Sequence, residues 1–314
     1  MPVRLRTGGA PALRHDTTLH FSNLTPALYS DIRRILAKSN TRSCDYSLGV
    51  LVMWADYFKY SGCIHAGTLF VKCLDQDGSG RQAFLLPCGD MPFDRSVELL
   101  RNYCRAQGIP LIFTAVPEDR LPEVGACSPM ELPVWTDYIY DAAHLASLTG
   151  KAYNKKRNHV NRFVADNPGW QLLPLDASSM HHALDLATRI HSFERKVDPA
   201  MAQYEIEHCL VALRQYAALG FEGAVLLDGI GRAVAFTAGE RYGDTLILHI
   251  EKADHEVAGA GEAINQFFAR RITDLHPEIK YINREDDSGD PGLQQAKLSY
   301  HPEILLRKYD VVME

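Results

Sequence analysis

Long apolar runs and a large excess of one charge are both missing from this sequence of 314 residues. No segment approaches the roughly 18 consecutive apolar residues that a membrane-spanning helix needs, so the sequence predicts no integral membrane segment. The basic tail Met1 to Arg14 contains no apolar stretch that would direct export, and we expect a cytoplasmic protein. The net charge of −6 provides no global attraction for a polyanion, so nucleic-acid binding would require a local basic patch.

Paired cysteine motifs are also missing. The seven cysteines form no C-x-x-C pair and show no zinc-ligand spacing. Their odd number, and their position within apolar segments as for Cys104, predict reduced and buried thiols rather than disulfides or nucleophiles. No metal site is predicted.

What the sequence does contain is the average composition of folded proteins, with 46% hydrophobic and 23% charged residues. A chain of this length exceeds what one core usually fills, which favours two domains. We place an N-terminal lobe at residues 16–150 and a C-terminal lobe at 151–314. Residues 151–167 are predicted to form an interlobe helix that ends before Pro168, because the residue before a proline tends to leave the helical conformation.

The second half has a clear order of elements. An alternating strand and two amphipathic helices precede three strands at 222–228, 233–241 and 245–253, which a glycine loop and a helix follow. The complete order, β-α-α-β-β-β-α-β-α-β, resembles the GNAT fold, in which acyl-coenzyme A binds where two parallel strands splay apart. The first half repeats the scheme more loosely. The resemblance implies an α/β (α+β) fold of two tandem GNAT-like (acyl-CoA N-acyltransferase) lobes with central mixed sheets.

The glycine loop reads E-V-A-G-A-G from Glu256 to Gly261. Gly259 and Gly261 would let backbone N–H groups turn toward a pyrophosphate, and the following helix adds the positive end of its dipole. The loop resembles the Q/R-x-x-G-x-G/A loop of GNAT enzymes, but Glu256 replaces a cation or amide and would repel pyrophosphate. The motif predicts either an anion site or a tight turn with close helix packing.

The most cationic stretch of the chain is KKRNHVNRF, at residues 155–163. On a helix its basic side chains spread around the circumference, while Val160 and Phe163 form an apolar seam. The stretch is either a solvated linker helix or a patch that contacts the phosphates of a donor. The residues assigned to donor binding are Arg157, Asn158, His159 and Arg162.

Two polar clusters flank the presumed cleft. Strand 245–253 ends with His249, Glu251 and Lys252, and simple alternation places His249 and Glu251 on one face. The stretch YINREDD follows with its polar residues at the carboxyl end of a strand, where α/β sheets commonly bind ligands. Structural ion pairs or a binding site explain both clusters. The candidate binding residues here are Asn283, Arg284, Glu285 and Lys297.

Five longer strings are specific enough to indicate a family. They are KKRNHVNRF, HIEKAD, GEAINQFF, YINREDD and GLQQAKLSYHP. From about Asp45 to Tyr309 the chain resembles a bacterial family related to the C-terminal catalytic domain of phosphatidylglycerol lysyltransferase. The resemblance implies a tandem GNAT fold and a relation to enzymes that move an aminoacyl group from aminoacyl-tRNA to a lipid headgroup or, in the Fem enzymes, to a peptidoglycan precursor.

The resulting prediction is an acyl or aminoacyl transferase in which an amine or hydroxyl acceptor, such as a lipid headgroup or peptide, attacks the donor directly. The donor is a small molecule or aminoacyl-tRNA, and acyl-CoA is the one cofactor to consider. Glu251 and His249 are candidates for deprotonating the acceptor, and Lys252, Lys297 and Tyr300 for assisting the leaving group. The alternatives are an acyl-CoA dependent N-acetyltransferase and a non-catalytic ligand-binding module.

Overall fold

The structure is a computed structural model that describes residues 18–125, 128–190 and 199–313, with the backbone alone for 199–202. The helices are α1 (Tyr29–Leu36), α2 (Leu48–Met53), α3 (Phe93–Gln107), α4 (Leu121–Val124), α5 (Ala142–Ser147), α6 (Asn154–Asp166), α7 (Met180–Ile190), α8 (Pro199–Arg214), α9 (Tyr216–Leu219), α10 (Ala260–Leu275) and α11 (Pro291–Leu298). The basic tail and the first residues of the predicted N-terminal lobe lie outside the described residues.

The strands form two sheets. They are β1 (Ser61–His65), β2 (Thr68–Leu74), β3 (Gln82–Phe84), β4 (Cys88–Gly89), β5 (Leu111–Pro117), β6 (Met130–Glu131), β7 (Asp137–Asp141), β8 (Gln171–Pro174), β9 (Glu222–Leu227), β10 (Ala233–Tyr242), β11 (Thr245–Ala253), β12 (Tyr281–Asn283), β13 (Ile304–Leu306) and β14 (Lys308–Met313). The first sheet has the order β1-β2-β3-β5-β14-β6, with β4 paired to β2, and the second has the order β13-β7-β12-β11-β10-β9-β8.

Both sheets are mixed and follow one plan. In the first, β1, β2 and β3 are antiparallel, and α3 leads to β5, which runs parallel to β3. In the second, β9, β10 and β11 are antiparallel, and α10 leads to β12, which runs parallel to β11. The predicted α/β fold of two tandem GNAT-like lobes with central mixed sheets is confirmed.

The two sheets exchange one strand each. Strand β7, from the first half of the chain, lies between β12 and β13, while β14, at the end of the chain, lies between β5 and β6. The predicted order, which ends in a single strand, is therefore wrong at its end, because the strand is interrupted at Arg307 and its two parts, β13 and β14, join different sheets. The division at residue 151 stays a prediction. Each sheet contains one strand from the other side of this boundary.

One hydrophobic core is shared by the two lobes. It joins residues of the first sheet, such as Phe113, to residues of the second, such as Phe236, together with one face of α1 and α7. A second core lies on the opposite side of the second sheet, under α5, α6 and α10. Val160 and Phe163 are buried there, so the apolar seam predicted for α6 is confirmed, but α6 packs on α10 instead of running through solvent.

Most of the described cysteines are buried, as the sequence predicts. None of the six that the structure describes forms a disulfide, and five of them, including Cys104 on the inner face of α3, are buried, whereas Cys63 is half-buried. Within the described ranges, no helix has both the length and the hydropathy needed to cross a membrane.

Candidate functional site

A cavity of about 620 Å³ lies between the two lobes. The first lobe contributes an aromatic wall of Trp54, Phe58 and Trp135, and the second contributes the end of β11 and the acidic loop at 286–290, which precedes α11. The cavity thus lies at the carboxyl ends of the parallel strands β11 and β12, as expected for an α/β sheet. The sequence-predicted residues that line it are His249, Glu251, Lys252, Arg284, Glu285 and Lys297.

A β-bulge decides which way the end of β11 faces. Ala238 of β10 pairs with Ile250, but the next residue of β10 pairs with Leu248, so His249 is left over. The extra residue reverses the alternation beyond it. His249 turns toward the first lobe, whereas Glu251 turns toward α10. The shared face predicted for His249 and Glu251 is therefore wrong.

The His249 side chain is held between two carboxylates. Its Nδ1 lies 2.7 Å from Glu285 Oε1 and its Nε2 lies 3.0 Å from Glu240 Oε1. Gly49 of α2 allows this approach, because any side chain there would overlap the imidazole ring. Burial lowers the pKa of His249, but the hydrogen bonds with Glu240 and Glu285 outweigh it and raise the pKa to about 9. An imidazolium with both nitrogens bonded has no lone pair, so the predicted base role does not fit His249.

An ion pair bridges the gap between the diverging strands β11 and β12. These strands pair over only three residue pairs, and Arg284, directly after β12, then reaches across to Glu251 on β11. The Arg284 guanidinium carbon also lies 4.9 Å from the centre of the Tyr300 ring. Tyr300 is buried behind this pair and is not among the residues that line the cavity, so the predicted acid role does not fit it.

The loop after β12 concentrates negative charge at one side of the cavity. Asp286, Asp287 and Asp290 all line it, and burial raises the pKa of Asp286 to about 6. Beside them, the Lys297 amino group donates to the backbone carbonyls of Arg284, at 2.6 Å, and of Asp286. Burial lowers the pKa of Lys297. The sequence places Asp286 and Asp287 in the polar cluster after β12, but the predicted site residues include none of the three aspartates, although the run D-D-S-G-D is a visible signal.

A buried cluster of charges joins the exchanged strands beside the cavity. Lys308, the first residue of β14, places its Nζ 2.7 Å from Asp137 Oδ1, at the start of β7, and 2.6 Å from Asp45 Oδ2. Asn283 Nδ2 donates to Asp137 Oδ2 at 2.9 Å, which explains why Asn283 is fully buried. Lys308 Nζ also donates to Cys44 Sγ at 3.3 Å. The Lys308 ammonium is the positive charge between the carboxylates of Asp45 and Asp137.

Comparison with known proteins places the chain among acyltransferase-like folds. A sequence model of the family described as phosphatidylglycerol lysyltransferase, C-terminal, matches residues 36–312. The chain belongs to this family.

The chain is also similar to several individual proteins. A conserved protein of unknown function from Bacteroides thetaiotaomicron matches with a TM-score of 0.84 and 28% identity over 95% of this chain and 100% of that chain. L-PGS from Bacillus licheniformis has the same fold, with a TM-score of 0.62 and 12% identity over 90% of this chain and 91% of that chain. An uncharacterized protein from Mycoplasmoides gallisepticum is 25% identical over 179 residues, which is 55% of this chain and 55% of that protein.

In this member of the lysyltransferase family, the basic helix α6 lies away from the cavity. Arg157 donates to the carbonyl oxygens of Leu148 and, at 2.8 Å, of Gly150, so it ties down the end of α5. Arg162 is exposed and pairs with Asp166. The predicted donor-binding residues Arg157, Asn158, His159 and Arg162 do not line the cavity.

The glycine loop is covered by α6. Gly259 has φ 79°, and a Cβ there would overlap the carbonyl oxygen of His159. His159 Nδ1 also lies 3.0 Å from Glu262 Oε1, in the first turn of α10. Gly261 has room for a side chain, since the nearest atom to a Cβ would be that of Ala253 at 3.6 Å. Close helix packing therefore explains Gly259, and an anion site at Gly259 and Gly261 stays a prediction.

Gly259→Val is expected to destabilise the protein by at least about 2 kcal/mol, because valine must adopt a left-handed conformation and displace α6. Gly261→Ala is the matched control, and it should be neutral or gain up to about 1 kcal/mol from helix propensity. Urea denaturation of both variants checks this. Equal stability of the two would contradict the packing explanation.

Proposed function

We propose that this chain is an aminoacyl transferase, in which an amine or hydroxyl acceptor attacks an aminoacyl ester inside the interlobe cavity. The observation that carries the proposal is the combination of an acidic loop with an aromatic wall. Carboxylates and indole rings both bind ammonium groups, and every aminoacyl group has one. Coenzyme A, in contrast, carries a pyrophosphate that an acidic cavity would repel.

The charge balance of the cavity supports a cationic ligand. His249, Lys252 and Arg284 are each paired with carboxylates from Glu240, Glu285, Glu205 and Glu251. The loop aspartates differ, because among the described residues they accept hydrogen bonds only from neutral groups. These donors are Ser288 for Asp286, Tyr138, Gln294 and Gly289 for Asp287, and Leu293 for Asp290. A ligand ammonium would neutralise part of this charge.

Asp286 and Lys297 suit the two proton-handling roles. In the proposed step, Asp286 accepts the proton of the acceptor as its oxygen or nitrogen bonds to the ester carbonyl carbon. The bond from that carbon to the donor oxygen then breaks, and Lys297 gives a proton to the departing oxygen, which leaves as a hydroxyl group. Asp286 then releases its proton to solvent and Lys297 takes one up, so the site returns to its starting state. Two of the three N–H groups of Lys297 are bonded to backbone carbonyls, which leaves one for the substrate.

The predicted catalytic residues take supporting roles in this proposal. Glu251 forms an ion pair with Arg284 where β11 and β12 diverge, and His249 forms a hydrogen bond with Glu285 that fixes its carboxylate. Lys252 is anchored to Glu205 of α8 at 2.9 Å. Tyr300 supports Arg284 from behind.

A transfer assay tests the proposal. Purified protein is incubated with a set of aminoacyl-tRNAs and with lipid and peptide acceptors, and the labelled product is separated from free amino acid. Product that forms with at least one pair supports the proposal. Calorimetry with acetyl-coenzyme A is the second arm, and micromolar binding with no aminoacyl product would instead favour the N-acetyltransferase. Binding of aminoacyl-tRNA without product would favour a non-catalytic module.

The exposed side of α6 is the place to test tRNA as the donor. Lys155 and Arg162 are exposed, and if each contacts one phosphate, Lys155→Ala and Arg162→Ala should each flatten the slope of log affinity against log salt by about 0.7 to 0.9. Filter binding of charged tRNA at several salt concentrations measures this. Arg157→Ala is a poor probe because it also frees the end of α5. If the wild type does not bind charged tRNA at low salt, the tRNA contact is wrong and α6 has a structural role alone.

A further inference from the structure

The hairpin loop between β2 and β3 contains the beginning of a calcium-binding pattern. Its sequence D-Q-D-G-S-G, at 75–80, places side-chain oxygens at the first, third and fifth positions and a glycine at the sixth. Asp75 Oδ1 accepts from the backbone N–H of Gly80 at 3.0 Å, which closes the loop around its own carboxylate. The pattern departs at the twelfth position, where Leu86 replaces the usual glutamate.

The exchanged strand β14 supplies the missing carboxylate from elsewhere in the chain. One carboxylate oxygen each from Asp75, Asp77 and Asp310 lies within 4.8 Å of the others. Asp310 is 2% exposed, and its Oδ1 accepts from Thr114 Oγ1 at 2.5 Å. Its Oδ2 is buried and has no hydrogen-bond partner among the described residues. A buried carboxylate oxygen without a donor is costly, so this atom points to a cation that the protein does not itself provide.

We propose that the β2–β3 loop and β14 together form a calcium site whose protein ligands are the carboxylates of Asp75, Asp77 and Asp310 and the hydroxyl of Ser79. Calcium accepts six to eight oxygen ligands in a flexible geometry, so water and backbone carbonyls can complete its shell. Magnesium is a poorer fit, because it demands a rigid octahedron and keeps most of its water.

Arg81 competes with the ion for the same carboxylates. Its Nε lies 2.6 Å from Asp75 Oδ2 and its Nη2 lies 2.8 Å from Asp77 Oδ2, while its side chain is 42% exposed. One guanidinium cannot neutralise three carboxylates, and it makes no described hydrogen bond to Asp310. Calcium binding displaces Arg81 into solvent, and the competition predicts a weak site.

The loop also connects this site to the interlobe cavity. The backbone carbonyl of Gln76 accepts from Trp135 Nε1 at 2.8 Å, and Gln76 Nε2 donates to Asp45 Oδ1 at 2.9 Å. Trp135 belongs to the aromatic wall, and Asp45 pairs with Lys308. Calcium would therefore fix one wall of the cavity without touching a ligand there.

Calorimetric titration and thermal denaturation of the full chain with calcium chloride test the site, with magnesium chloride as the matched salt. We expect measurable heat and a rise in Tm of about 3 °C at about a hundredfold excess of calcium over its Kd. Arg81→Gln should tighten calcium binding by about tenfold, because it removes the internal competitor. Asp310→Asn should abolish both the heat and the shift, whereas Asp31→Asn, at an exposed ion pair on α1, should change neither.

Asp77→Asn, in the exposed part of the loop, replaces Asp310→Asn if that variant does not fold. Absence of heat and of a Tm shift in both the wild type and Arg81→Gln at about 10 mM calcium overturns the proposal, since even weak calcium sites fill at that concentration. An undiminished shift in Asp310→Asn overturns it too. The readout is binding, so its result does not depend on whether the chain transfers aminoacyl groups.

Discussion

Asp286→Asn is expected to lower the turnover number of the transfer reaction about 10²- to 10⁴-fold, the usual contribution of a general base. Asparagine keeps the size of the side chain and an oxygen that can accept the hydrogen bonds from Ser288. It cannot take a proton from the acceptor. The loss should therefore fall on turnover and leave the folded structure unchanged.

The pH dependence gives this prediction a second readout. Burial raises the pKa of Asp286 to about 6, so turnover should rise with pH through about 6 and level off above it. The native pKa exceeds the ordinary value, so native protein binds more protons than unfolded protein between about pH 4 and 6, and this group lowers stability as pH rises through that window. Asp286→Asn should remove that acidic limb and be no less stable than wild type at pH 7.

Asp176→Asn is a matched control for Asp286→Asn. Asp176 makes the same turn, with its Oδ1 accepting from the N–H and hydroxyl of the serine two residues later, but it does not line the cavity. This variant should retain full turnover. If Asp286→Asn also retains full turnover, Asp286 is not the base, and Glu251 becomes the next candidate for that role.

Lys308→Met is expected to lower the free energy of unfolding by about 3 to 5 kcal/mol, because it leaves Asp45 and Asp137 buried without their common cation. Lys308 is 1% exposed, so water cannot replace the ammonium. The variant should also disturb the crossing of the exchanged strands, since Lys308 and Asp137 are the first residues of β14 and β7. Urea denaturation measures the change.

Two further variants separate loss of the ion pair from loss of a lysine. Lys155→Met, on the exposed side of α6, should change the free energy of unfolding by less than about 0.5 kcal/mol. Adding Asp45→Asn and Asp137→Asn to Lys308→Met should recover part of the loss, because no buried charge then remains unpaired. Equal effects of Lys308→Met and Lys155→Met would contradict the prediction.

Alkaline titration provides an independent check on the buried lysine. Burial lowers the pKa of Lys308, but the charges of Asp137 and Asp45 outweigh it and hold the pKa well above its usual range. The stabilisation by Lys308 is thus complete below the ordinary lysine pKa and is lost as pH rises through the higher native value. Lys308→Met should lose this alkaline dependence.

Periodicity and turn residues determined most of the local structure. The stretches around α3, α6 and α10 have apolar residues at helical spacing, and the strands of the β9–β10–β11 meander are joined by tight turns, so their types follow from contacts between near neighbours in the chain. Several residues that line the cavity, including Arg284, Glu285 and Lys297, could also be predicted from the sequence. They lie directly after the predicted strand or within the predicted helix. These parts need no knowledge of the partner lobe.

Pairing between distant segments was decided only by the tertiary structure. The stretch DYIYD has the pattern of a strand, but nothing in its residues states that β7 joins the second sheet while β14 joins the first. One bulged residue at His249 reverses the faces of Glu251 and Lys252, and no local pattern marks it. Lys308 and Asp137 are charged residues in apolar strands, and each finds its counter-charge only in the other half of the chain. Burial of a charge is tolerable only where the fold brings such a partner.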